Sequence, residues 1–148
     1  MPARHRSRAR ALQVLFLWDL RKQDIGAAIA SFYDTLGSEE DDPKPTDPDE
    51  FMETLVRGAV ENAVSIDKII SDKSANWRIE RMPAVDRNIL RIGVYELLWA
   101  PGVPDGVVIS EAVLLARELS TDDSPAFVNG LLARLLELKP ELEATPDH

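Results

Sequence analysis

The chain has 148 residues, 45% of them hydrophobic and 29% charged, and its 26 acids against 17 Lys and Arg give a formal net charge of -9. That length fits one domain, 1–148, able to bury about 68 to 70% of its unfolded surface, and no apolar run approaches the roughly 20 residues of a membrane span. The absence of cysteine excludes disulfides, thiolate metal sites and cysteine nucleophiles together, which suits a cytoplasmic protein.

Apolar residues recur at helical spacing almost throughout, and no segment alternates cleanly enough for a strand, so the expected fold class is all-α with about seven helices. A first helix is expected over about Ala3 to Arg21. Its start carries Arg4, Arg6, Arg8 and Arg10 at alternate positions and runs directly into the apolar stretch from Ala11. Gln13 interrupts that stretch and no small-residue cleavage site follows Trp18 and Asp19, so it does not read as an export signal. A second helix, about Ile25 to Leu36, ends at Gly37. The segment 38–50 holds seven acids and three prolines, which cannot bury a core face and predict a solvated loop.

A third helix starting near Pro48 or Asp49 carries Met52, Leu55, Val56, Ala59, Val60 and Ala63, and a fourth carries Ile66, Ile69 and Ile70, with a break near Ser65. Pro83 marks a helix start that continues to about Trp99. Pro101 to Pro104 force a turn before an amphipathic helix ending at Leu119, and Ser120 to Ser124 close it. The last helix opens with Ser124 as N-cap and Pro125 behind it, and runs until Pro140. Short connections favour antiparallel bundles.

Candidate catalytic groups are scarce. The two histidines, His5 and His148, stand at the extreme termini, and the sequence contains no phosphate-cradling glycine motif and no metal-ligand spacing. Neither an enzyme nor a cofactor is expected. In an acidic chain, polyanion binding requires a restricted basic patch, and the first helix supplies it. At about 100° per residue, Arg6, Arg10 and Gln13 share an arc of roughly 60°, with Phe16 one turn beyond, while Arg4 and Arg8 fall on another face. Guanidinium groups beside an aromatic ring suit an unpaired RNA base, although a helix apolar around most of its circumference favours the core for Phe16 and Trp18.

Three segments together resemble the NusB transcription antitermination family: Arg8 to Phe16 (RARALQVLF), Pro83 to Leu97 (PAVDRNILRIGVYEL) and Asp122 to Leu132 (DDSPAFVNGLL). Val103-Pro104 followed by VISEAV from Val108 resembles the family's entry to its sixth helix. The resemblance spans nearly the whole chain. It implies an all-helical fold of two packed antiparallel bundles and a non-enzymatic factor that binds boxA-type single-stranded leader RNA of ribosomal RNA operons. The implied partners are NusE, a small-subunit ribosomal protein, and the transcription elongation complex.

By the same resemblance, Arg4, His5, Arg6, Arg8, Arg10, Gln13 and Phe16 would line the RNA site from the first helix. Asp123, Phe127 and Asn129 would complete it from the last. Asn129 beside Gly130 is a poor helix-forming pair, which favours a functional or close-packing reason for both. Asp86, Arg87, Arg91, Tyr95 and Glu96 would face NusE, with intrachain ion pairing as the alternative. His5 stands where many relatives have arginine. A monomer and a homodimer both remain compatible with the sequence. Two other readings stay open: an RNA-binding module related to ribosomal RNA cytosine methyltransferases, and an acidic helical adaptor that binds only proteins.

Overall fold

The computed structural model of the chain describes residues 3–38, 48–74, 77–100 and 102–140. They form α1 (Ala3–Leu20), α2 (Ile25–Ser38), α3 (Glu50–Glu61), α4 (Ala63–Lys73), α5 (Ala84–Trp99), α6 (Asp105–Leu119) and α7 (Ser124–Glu137), with a 3-10 turn at Ile79–Arg81. No strand occurs among the described residues, as the helical periodicity predicts.

Helix α5 is the shared axis. Every residue from Asn88 to Val94 is buried, because neighbours surround it: α1 and α3 pack on it from one bundle, and α4, α6 and α7 from the other. Leu15 of α1, Met52 and Leu55 of α3, Ile89 and Leu90 of α5, and Leu132 and Leu135 of α7 are fully buried. Two glycines set close crossings. A Cβ on Gly58 would lie 2.2 Å from the Tyr95 ring, and one on Gly93 would lie 3.0 Å from a methyl group of Leu132.

Several boundaries differ from the sequence expectation for identifiable reasons. Helix α2 continues through Gly37 to Ser38. The break between α3 and α4 falls at Asn62, three residues before Ser65, and there the Asn62 side-chain amide donates to the Gly58 carbonyl at 2.8 Å. Ser124 is the first helical residue of α7 rather than its cap, because its hydroxyl is drawn away to Asp86 at 2.9 Å. Helix α1 ends without glycine. Lys22 takes a left-handed φ of 57° just beyond it, a conformation that glycine more commonly supplies. Of the expected acidic loop, residues 39–47 lie outside the described set.

Candidate nucleic-acid interface

The outer face of α1 is built by what the helix buries on its other side. Ala11, Leu12, Val14 and Leu15 are in the core, which leaves Arg6, Gln13 and Phe16 exposed along one strip with Arg10 half-buried beside them. Arg6 and Gln13 have no hydrogen-bond or ion-pair partner among the described residues. Phe16 is 38% exposed, so it flanks the strip and does not fill the core. Arg4, also exposed, turns to another side and lies 4.7 Å from the centre of the Phe51 ring.

The remaining basic groups of α1 are clamped by acids. Arg8 is 2% exposed and makes a two-point ion pair with Glu96, Nε to Oε2 at 3.0 Å and Nη2 to Oε1 at 2.8 Å. His5 is 3% exposed, with Nδ1 2.5 Å from Glu111 and Nε2 3.2 Å from Glu118. Both side chains thus lie off the outer strip, away from the surface where the family resemblance places them. Neither presents a cation to solvent; each anchors α1, Arg8 to α5 and His5 to α6. Burial lowers the His5 imidazole pKa, but hydrogen bonds and charge from Glu111 and Glu118 outweigh that effect and raise it above its ordinary value.

Arg10 stays on the strip but shares its cation. Its Nη1 lies 3.1 Å from Asp49, whose carboxylate also accepts from the Ser7 hydroxyl at 2.8 Å and from the Met52 amide at 3.0 Å. Asp49 thus caps α3 while holding α1. Its own amide donates to Tyr33 Oη, and the Tyr33 hydroxyl donates to Glu53. Burial and Glu53 push the Tyr33 phenol up to about 12.

At the far end, Asp123 is exposed and makes no capping hydrogen bond to α7. Phe127 and Asn129 are about 200° apart around the helix, so they occupy opposite edges of its outer face. Phe127 packs edge-on against Trp77, with ring centres 4.9 Å apart, whereas Asn129 faces a groove between α6 and α7. Ala126 and Gly130 lie exposed between them, and a Cβ on Gly130 would meet nothing within 4 Å. Close packing within the chain therefore does not explain that glycine. No hydrogen bond, ion pair or ring contact among the described residues joins Asp123, Phe127 or Asn129 to the arginines of α1.

Of the α5 residues expected toward a partner, Asp86, Arg91 and Glu96 are buried in intrachain pairs, the alternative left open by the sequence. Asp86 is 3% exposed and accepts from Ser120 at 2.5 Å and Ser124 at 2.9 Å, tying the α6–α7 turn to the start of α5. Arg87, Asn88 and Arg91 converge on one oxygen of Asp19 at 2.6, 3.0 and 3.0 Å. Burial would raise the Asp19 carboxyl, but these donors hold it below its ordinary value. Arg91 also grips Asp67 at 2.8 and 3.0 Å, and Glu96 is consumed by Arg8. Only Arg87 and Tyr95 of the five keep a partly exposed side chain.

The NusB family model matches residues 5–137 of the chain. The chain belongs to the NusB family. Transcription antitermination protein NusB of Streptomyces avermitilis is 49% identical over 142 residues, covering 96% of each protein. Among solved structures, T. maritima NusB superposes with a TM-score of 0.78 at 32% identity over 97% of each chain. A chain from the antitermination factors NusB and NusE in complex with dsRNA matches with a TM-score of 0.78 at 31% identity, covering 93% of this chain and 98% of that one. Curated relatives that the chain matches are named transcription antitermination proteins.

Within the NusB fold of this chain, sequence reading missed the acids that organise the interface: Asp19, Asp49, Glu111 and Glu118. It also missed Trp77 as the neighbour of Phe127. The acids carry no local signal among 26 of their kind, and each meets its α1 or α5 partner across at least 39 residues.

Proposed function

We propose that this antitermination factor binds boxA-type single-stranded leader RNA of ribosomal RNA operons together with NusE, within the transcription elongation complex. The observation that carries the reading is the exposed strip of Arg6, Gln13 and Phe16, with half-buried Arg10 beside it, on a helix whose His5 and Arg8 are fixed internally. Guanidinium groups engage phosphates, the Gln13 amide reaches a base edge, and the half-open Phe16 ring offers a stacking surface. Arg4 extends the positive field to the side. Asp123, Phe127 and Asn129 contribute hydrogen bonding and a second aromatic face from α7. The solved NusB and NusE assembly with RNA supports the partners; its RNA is double-stranded, so strand state belongs in the test.

The test is a titration of a boxA-type RNA, single-stranded and as a duplex, with and without NusE. Arg6→Gln is expected to weaken binding and reduce the magnitude of the log-log salt slope by about 0.7, the share of one neutralised single-strand phosphate. Its thermal midpoint should match the parent, because Arg6 is exposed and unpaired. Tight binding insensitive to salt and to Arg6 would reject the reading. Binding to NusE alone, with no RNA affinity under any condition, would favour the protein-only adaptor.

A further inference from the structure

The groove between α6 and α7 encloses about 490 Å³, within the size range of small-molecule sites. Val113, Pro125 and Ala126 give it apolar lining, and Arg117, Thr121, Asp122 and Asn129 give it polar lining. Arg117 is exposed and has no hydrogen-bond or ion-pair partner among the described residues, although acids make up 26 of the 148 positions. The opposite edge of α7 carries the Trp77–Phe127 pair. A strand that touches Phe127 and Asn129 must cross the outer face of α7 at Ala126 and Gly130, where no side chain beyond a methyl group stands in the way.

We propose that this groove is a single-nucleotide subsite for RNA, reached over Ala126 and Gly130. This rests on the RNA-binding reading and extends it from Asn129 to Arg117, Asp122 and Gly130, which that reading does not use. Arg117 takes the phosphate, because it is the one cation among the described residues that line the groove. The apolar side chains of Val113 and Pro125 accept the sugar and one face of the base, and the Asn129 amide pairs with the base edge. Asp122 repels phosphate and accepts hydrogen bonds, so it turns the base rather than the backbone toward itself. The subsite therefore prefers a base with an exocyclic amino group, adenine, cytosine or guanine, over uracil.

The experiment is an anisotropy titration of a boxA-type single strand from about 50 to about 200 mM salt, run with the parent, Arg117→Gln, Gly130→Val and Arg6→Gln. Removing the Arg117 contact should lower the slope magnitude by about 0.7, so its affinity deficit narrows about 2.6-fold across that salt range. Gly130→Val should weaken binding at least threefold by obstructing the crossing. Circular dichroism should show both variants folded, since neither residue is buried. Replacing single purines or cytosines by uracil should find one position whose cost disappears in Asp122→Asn. If Arg6→Gln lowers the slope while Arg117→Gln and Gly130→Val bind like the parent, the groove is not a subsite and the RNA reading stands. If the parent itself binds no RNA, the RNA reading fails and takes the subsite with it.

Discussion

At the scale of single residues, α1 shows how little a count of basic groups says about available charge. Arg8 and Glu96 bury each other, and removing one partner leaves an uncompensated ion in the core. Arg8→Ala should cost about 3 to 5 kcal/mol of stability, and Arg8→Ala with Glu96→Ala distinctly less, measured by urea denaturation. Equal losses in the single and double variants would show that packing, not the orphaned carboxylate, sets the cost. His5 gives a pH signature. Its folded pKa is raised, so the stability contributed by Glu111 and Glu118 is fully present below the ordinary imidazole value of 6.5 and is lost as pH rises through the raised value. The gap in thermal midpoint between the parent and His5→Gln should be widest near pH 6 and shrink above that window; a constant gap would contradict the assignment. Arg6, Arg10 and Gln13 were legible as one face because helical geometry alone groups them. The clamping of His5 and Arg8 was not, because their partners lie 88 to 113 residues away in sequence.

At the scale of elements, the helices were legible from periodicity, since the core they bury is ordinary aliphatic packing. What periodicity misses is polar burial. Asp19, Arg91 and Glu96 lie inside, where a pattern-based reading puts apolar side chains outward-facing charges never reach. That is why pattern alone could not tell a docking role for Asp86, Arg87, Arg91, Tyr95 and Glu96, which the family resemblance implies, from intrachain ion pairing. The α3–α5 crossing adds a local demand of its own. Because a Cβ on Gly58 would stand 2.2 Å from the Tyr95 ring, Gly58→Ala must displace the ring or separate the helices. A loss of about 1 to 3 kcal/mol is expected in thermal unfolding, and Tyr95→Ala in the same background should recover part of it. Full tolerance of Gly58→Ala would mean that Tyr95 moves freely at this crossing.

At the scale of the whole molecule, the formal charge of -9 works against RNA and for a basic partner. If the proposed partner NusE meets this acidic surface with a basic one, association should accelerate as salt is lowered, with stopped-flow rates falling at least tenfold between about 10 and about 300 mM salt. A rate independent of ionic strength would remove steering from the account. The order of assembly follows from the same field: with NusE bound and the net charge reduced, RNA should associate faster than with the free protein. Global composition displayed this sign imbalance from the outset, whereas the division of α1 into anchoring and outward-facing cations required the three-dimensional arrangement.

Asp49 holds Arg10 while also capping α3 and accepting from Ser7. It is in effect a counterion that cannot diffuse away. Dilution, which disperses ordinary salt, leaves its effective concentration at Arg10 unchanged, so an incoming phosphate must displace a tethered competitor at any ionic strength. The RNA still sheds the cation condensed on that phosphate, so Arg10 would add its share to the salt dependence while adding less to affinity than Arg6, and reciprocity requires that RNA drawing Arg10 outward also loosen its hold on the first turn of α3.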